Sequence, residues 1–377
     1  MERRAFLRTG LAAGALAAGS DVLLASELAA ATRRRRLAPG PLRLNANENP
    51  LGLCPAAREA VRAGIGEANR YPFAARDPVI SRLAARHQVE PDSILLGTGS
   101  TEVLQMVVQT FGRDGAMFII PDPTFEDVPG YARPWDVDLR KVPLTANYRH
   151  DLDRMQELAG STTGPVVVYI CNPNNPTATV TPSVDTDSWI LTAPERVTFL
   201  VDEAYFEYAA ASPGYWSATK WVGSRPNVIV TRTFSKIFGM AGMRLGYGIA
   251  HPDTAARLRQ LQSRNNANYL ALAAAVASLD DPALVDRGLE VNDRGRLVAE
   301  RALESLNLQV IPSHANFLMH EIPGDLDPYI ARMRKAGIRV GRPFPPMLGH
   351  NRLSIGTPEE MERWAETLRG FRRRGWI

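Results

Sequence analysis

What this chain has little of narrows its class first. Among 377 residues there are two cysteines, Cys54 and Cys171. Two are too few for a disulfide framework and lack zinc-site spacing, so their redox state stays open. The weakly apolar run Leu11 to Ala18 is too short and glycine-rich for a good membrane span. The net charge of +4 is also misleading, because seven arginines against Glu2, Asp21 and Glu27 place all of it in residues 1–36. The remainder is formally neutral, which argues against nucleic acid as a partner. Lysine is scarce too, limited to Lys141, Lys220, Lys236 and Lys335. Arginine stays protonated, so any covalent bond between an amine and a carbonyl must use one of these four.

What is present is ordinary in bulk and specific in detail. A chain of this length with 45% hydrophobic residues can bury a large core, and one large domain with a smaller one is the default. The start reads Glu2-Arg3-Arg4-Ala5-Phe6-Leu7-Arg8 ahead of the mildly apolar run. It resembles a twin-arginine export signal, with glutamate where serine is commoner. Export by the twin-arginine machinery to a periplasmic or other extracytoplasmic space is therefore expected. A disordered basic leader and an uncleaved signal serving as an anchor are the alternatives. Residues 33–36, all arginine, read as a solvated linker.

Beyond the leader, Leu42 to Gly52 is extended and turn-rich, and helical spacing appears over Pro55 to Gly64 and Asp77 to His87. Ile94-Leu95-Leu96 reads as a short buried strand running into Gly97-Thr98-Gly99-Ser100-Thr101-Glu102, with an apolar helix from Val103 to Phe111. Such a turn offers free N–H groups and hydroxyls to an anion. Strands are then expected at Ala116 to Ile120, Val166 to Ile170, Thr198 to Val201, Asn227 to Thr231 and Gly246 to Ala250. With helical patterns between most of them, they predict a largely parallel sheet covered on both faces. From His251 the pattern is mainly helical, with short strands near Gln309 to Ile311, Phe317 to His320, Ile338 to Val340 and Arg352 to Ile355. A closing helix spans Glu359 to Phe371.

Three strand ends follow at crossover spacing. The first carries Asn172-Pro173-Asn174-Asn175-Pro176-Thr177, the second Asp202-Glu203-Ala204-Tyr205, and the third Ser235-Lys236, with Arg244 eight residues beyond the lysine. Right-handed crossovers would gather an amide, a carboxylate and an amine on one sheet edge.

These motifs, together with LNANENP, RYP, GTGSTE and NRLSIGT, resemble the fold-type I pyridoxal 5′-phosphate enzymes, in particular aminotransferases of the histidinol-phosphate aminotransferase kind. The likeness covers about residue 42 to the C-terminus. It departs at Ala178, where the family usually shows glycine, and at Phe125, where tyrosine is frequent. The resemblance implies an α/β fold with a mostly parallel central sheet flanked by helices, plus a smaller α+β domain. It divides the chain into a signal and linker at 1–36, a large cofactor-binding domain at 71–270, and a small domain made of 37–70 and 271–377.

Residue by residue, the resemblance implies that Lys236 holds the cofactor and moves the α-proton, while Asp202 pairs with the pyridine nitrogen. Asn172 and Tyr205 would bind the ring's phenolic oxygen. Gly99, Ser100, Thr101, Ser235 and Arg244 would hold the phosphate, and Phe125 would stack on the ring. Arg352 would clamp the substrate carboxylate, Asn47 would line the substrate side, and Arg342 is a candidate for a second substrate anion. Tyr71 would reach the neighbouring subunit's cofactor phosphate, so a homodimer is expected. The activity implied is amino transfer between an amino acid or amine and a 2-oxo acid or related carbonyl. A decarboxylase or lyase on the same cofactor is the first alternative, and an exported binding protein without turnover the second.

Overall fold

A computed structural model describes residues 40–377, so the leader expected to direct export lies outside the described residues. Seven strands form the central sheet: β1 Ile94–Gly97, β2 Met117–Asp122, β3 Leu139–Pro143, β4 Val166–Cys171, β5 Val197–Asp202, β6 Val228–Thr233 and β7 Gly246–Ala250. Their spatial order is β1-β7-β6-β5-β4-β2-β3, and β7 alone runs antiparallel to its two neighbours. This is the α/β architecture that the alternating pattern predicts, extended by β3. That strand was missed because Leu139–Pro143 exposes most of its residues at the sheet edge and carries arginine, lysine and proline.

Continuous apolar runs form the inner strands because both faces are covered. Side chains alternate between two cores. Val166, Val168, Ile170, Val197, Phe199, Val201, Val228 and Val230 enter one cluster. Val167, Tyr169, Cys171, Leu200 and Ile229 enter the other, beneath the helix Ser100–Arg113. Strand ends, helix starts and helix ends otherwise fall within a few residues of the expected positions.

The C-terminal part is α+β. Strands β8 Val310–Ile311, β9 Phe317–Glu321 and β11 His350–Ser354 form an antiparallel sheet in the order β11-β9-β8, with β10 Ile338–Val340 outside it. The closing helix Pro358–Arg373 opens on a capping box between Thr357 and Glu360, and packs against the long helix Leu284–Ser305. The expected boundaries at 70 and 271 need correction. Ala57 of the helix Pro55–Gly64 and Ala271 to Ala275 of the helix Tyr269–Leu279 are buried in the same cluster as the central strands. Those two helices pack on each other and belong to the large core. Arg43–Ile377 is one compact unit. No helix among the described residues is long and apolar enough to cross a membrane.

Candidate active site

Sheet register explains how the three motifs meet. Asp202, the last residue of β5, sits opposite Cys171 of β4 on one side and Thr231 of β6 on the other. Its carboxylate accepts hydrogen bonds from Thr231 Oγ1 at 2.9 Å and from the Tyr169 hydroxyl at 3.0 Å. Burial raises its pKa to about 6, and those two donors with the Ala204 N–H work against the rise. At neutral pH it is an ion at the end of a parallel strand, where a cationic group would be favoured.

A cavity of about 260 Å3 opens over this carboxylate, lined by Ser100, Thr101, Phe125, Asp202, Tyr205, Ser235, Lys236 and Arg244 among others. Its far end is an anion cradle. Gly99 has φ +76°, and a Cβ there would collide with the Arg244 guanidinium. Gly246 likewise leaves room for the Ser100 N–H. The helix Ser100–Arg113 starts at Gly99 with no side-chain cap, so its first N–H groups stay available to a ligand. Arg244 donates to Ser235 Oγ at 3.4 Å and makes no ion pair among the described residues. The nearby Glu102 carboxylate is drawn back by the Thr98 N–H and Asn266, which keeps it from competing for the cradle.

Lys236 is half-buried in the cavity wall, with Nζ 5.4 Å from the centroid of the Tyr205 ring. Burial lowers its pKa to about 8, helped by Arg352 and Arg244 and opposed by Asp202 and Glu48. The Tyr205 hydroxyl accepts from Asn47 Nδ2 at 3.0 Å and from Asn175 Nδ2 at 3.3 Å. Two amides donate to it, so its own proton is free to point elsewhere.

One assignment is overturned here. Asn172 does not face the cavity: its Oδ1 accepts from the Thr181 N–H at 3.1 Å and its Nδ2 donates to the Thr181 carbonyl at 2.9 Å. Both ends of the amide are consumed in pinning the loop that returns after Ala178. Asn175, three residues on, links two of the expected site residues, donating to the Tyr205 hydroxyl at 3.3 Å and accepting from Arg352 at 2.7 Å. Ala178 adopts the left-handed conformation at φ +61° that glycine would favour, so the loop keeps its shape despite the methyl group.

Arg352 is buried and donates to Asn175 Oδ1 at 2.7 Å and to the Asn45 carbonyl at 3.0 Å. It has no carboxylate within 4 Å among the described residues, its Nε has no partner, and burial lowers its pKa to about 10. Asn47 sits at φ 54°, tied to Ser354 and to Tyr205. Neither residue lines the 260 Å3 cavity directly. Arg342 is ion-paired with Glu126 on the surface. Tyr71 is 72% exposed, stacks on Phe73, and lines a separate surface hollow with Asn265 and Asn268. The cysteines are both free and buried.

Sequence reasoning missed Tyr169, Thr231, Asn175 and Glu48. The signal for Asn175 was present, since Asn-Pro occurs twice in the motif. A ring with a phosphate at one end and a basic nitrogen at the other fits this cavity. The cradle, the amine, the carboxylate and the Phe125 wall offer one complementary group for each part.

Comparisons with known proteins agree with this geometry. A family model described as aminotransferase class I and II matches residues 39–368. Histidinol-phosphate aminotransferase 2 of Nitrosospira multiformis is 35% identical over 330 residues, covering 87% of this chain and 83% of the relative. A solved structure from Erwinia carotovora atroseptica, described as a candidate histidinol-phosphate aminotransferase, shares 38% identity with a TM-score of 0.87. That match covers 89% of this chain and 97% of the other. The histidinol-phosphate aminotransferase of Sinorhizobium meliloti, solved in complex with pyridoxal 5′-phosphate, shares 25% identity with a TM-score of 0.80, over 88% and 92% of the two chains.

Proposed function

The chain belongs to the class I and II aminotransferases, and from that premise we propose that it moves an amino group from an amino acid or amine, met outside the cytoplasm, to a 2-oxo acid. Histidinol phosphate remains among the donors to test. The observation that carries this reading is the pairing of a half-buried amine of lowered pKa with a buried guanidinium that has no carboxylate partner.

When bound, pyridoxal 5′-phosphate supplies an electron sink for the substrate's α-carbon. The residues supply the rest. Asp202 keeps a negative charge where the ring nitrogen would lie and so favours its protonated form. Arg352 accepts the substrate carboxylate bidentately, which fixes the bond to be broken. Lys236, whose pKa burial lowers to about 8, would hold the cofactor and, once released, would take the substrate's α-proton at Nζ. Tyr205 turns its free O–H toward the ring oxygen, held by Asn47 and Asn175. The cradle at Gly99, Ser100, Thr101, Ser235 and Arg244 anchors the phosphate.

Two further parts of the proposal concern the assembly and the address. Tyr71 and Phe73 form an exposed aromatic pair that a second copy would cover in a homodimer. The Arg3-Arg4 leader would direct export. Sedimentation of the purified protein and fractionation of the native host test these two points.

The main test is the visible spectrum of the holoenzyme as donors are added one at a time. Conversion of the cofactor band by one donor, reversed by a 2-oxo acid, is the expected result. Carbon dioxide release without reversal would replace the proposal with a decarboxylase, and a band that no donor alters would favour a binding protein.

A further inference from the structure

Two guanidiniums in different electrostatic states share one aromatic ring, Phe344, one of them buried and one on the surface. Arg352 is buried and lacks a carboxylate, and its Cζ lies 4.6 Å from the centroid of the Phe344 ring. Arg342 has its Cζ 4.1 Å from the centroid of the same ring. The two cations therefore lie within about 9 Å of each other, the two distances combined, with one aromatic ring shared between them. A short substrate with anions at both ends could engage both. Arg342, however, already has a counter-ion. Its Nη2 meets Glu126 Oε2, while Nη1 donates to the Pro343 carbonyl at 2.8 Å.

Glu126 directly follows Phe125, which lines the cavity, and precedes the helix Asp127–Ala132. It shares the chain segment that forms the ring-stacking wall. The pair is about half exposed on both sides, 51% for Arg342 and 60% for Glu126. An ion pair in that setting is weak and screened, so a ligand anion can compete for the arginine.

We propose that Glu126 is a specificity-determining residue: by neutralising Arg342 it lets donors with one anionic group bind, and it penalises donors with a second anion at the far end. This inference rests on the aminotransferase reading and names the substrate class. The favoured donor has one carboxylate and a neutral or cationic side chain. A donor with two carboxylates must displace Glu126 before Arg342 can receive its far end. Glu126 touches no reacting atom, so its effect must appear in binding rather than in the chemical step.

The test uses the holoenzyme and Glu126→Gln, with glutamate and leucine as donors. Glu126→Gln should raise kcat/KM for glutamate about three- to tenfold, through KM. It should leave kcat and the leucine constants within twofold. Raising the ionic strength should shrink the wild-type penalty. A second readout needs no turnover: calorimetric binding of glutarate against butyrate, where Glu126→Gln should tighten glutarate alone. Adding Arg342→Gln to Glu126→Gln should abolish that gain. Parallel changes for all ligands would assign Glu126 a merely structural role and overturn the proposal, as would no change for the dianions. Glutarate tightening in a protein that converts no donor would instead overturn the aminotransferase reading and leave the role of Glu126 standing.

Discussion

Two groups of charged side chains lie on either side of the same strand ends, and they are built on opposite principles. Asp202 lines the cavity with Thr231 bonded to its carboxylate, whereas the next residues on each strand, Arg232 and Glu203, lie outside its lining and pair with each other. Behind the site every charge is matched. Arg232 pairs with Glu203 at 2.7 Å and Glu207 at 3.4 Å and lies 3.6 Å over the Phe206 ring. Glu203 accepts further bonds from Ser217 and from the Ala218 N–H. In front, Lys236, Arg244 and Arg352 have no carboxylate within 4 Å among the described residues. A paired cluster holds structure together, while an unpaired one stores affinity for a ligand that will complete it.

The contrast is sharpest at the two cations. Lys236→Met should lower turnover by about 10⁴-fold while the cofactor-free protein becomes about 2 kcal/mol more stable at pH 7, read by urea unfolding. The sign follows from a folded pKa near 8, below the ordinary 10.5. Below pH 8 the native state bears a charged amine that the unfolded chain solvates better. Arg232→Met should do the reverse. It leaves two buried carboxylates without a cation and should cost about 3–5 kcal/mol, with little change in the visible spectrum of the molecules that remain folded. If both substitutions destabilised equally, the distinction between the two clusters would fail.

Asp202 gives a smaller effect with its own pH window. Its folded pKa near 6 lies above the ordinary 3.8, so between those values the native state holds a proton that the unfolded chain has released. Cofactor-free protein should therefore lose about 2 kcal/mol from this group as pH rises from 4 to 6, and Asp202→Asn should flatten that slope. Smallest is the comparison of two amides. Asn175→Ala should reduce kcat/KM about tenfold by releasing Tyr205 and Arg352, whereas Asn172→Ala should cost about 1–3 kcal/mol of stability and leave kcat/KM within twofold. The opposite outcome would return the site role to Asn172.

Much of this was legible in the chain. Runs such as Val166 to Ile170 are β-branched and flanked by turn residues, so their identity as inner strands follows from local preference. Lys236 stood out because lysine is rare here, and Asp202 because it closes an apolar strand. The glycine turn before Ser100 offered free N–H groups and hydroxyls to an anion, although its spacing matches no dinucleotide or nucleotide phosphate-binding signature. By contrast β3, whose pattern is mostly exposed and interrupted by charge, carried no such signal.

The remainder required the third dimension. Asn172 and Asn175 share one motif and one residue type, and the sequence alone offers no reason to prefer either. Thr181, folding back nine residues later, binds Asn172 and leaves Asn175 to the site. Tyr169 and Thr231 became partners of Asp202 through strand register, and Glu126 met Arg342 across 216 residues. The sequence by itself therefore determined which elements form, and which residues stand at their ends, because those depend on local periodicity and turn chemistry. Tertiary structure alone decided which side chains are paired and which are left free, because a charge or an amide is satisfied by whatever the fold brings within about 3 Å of it.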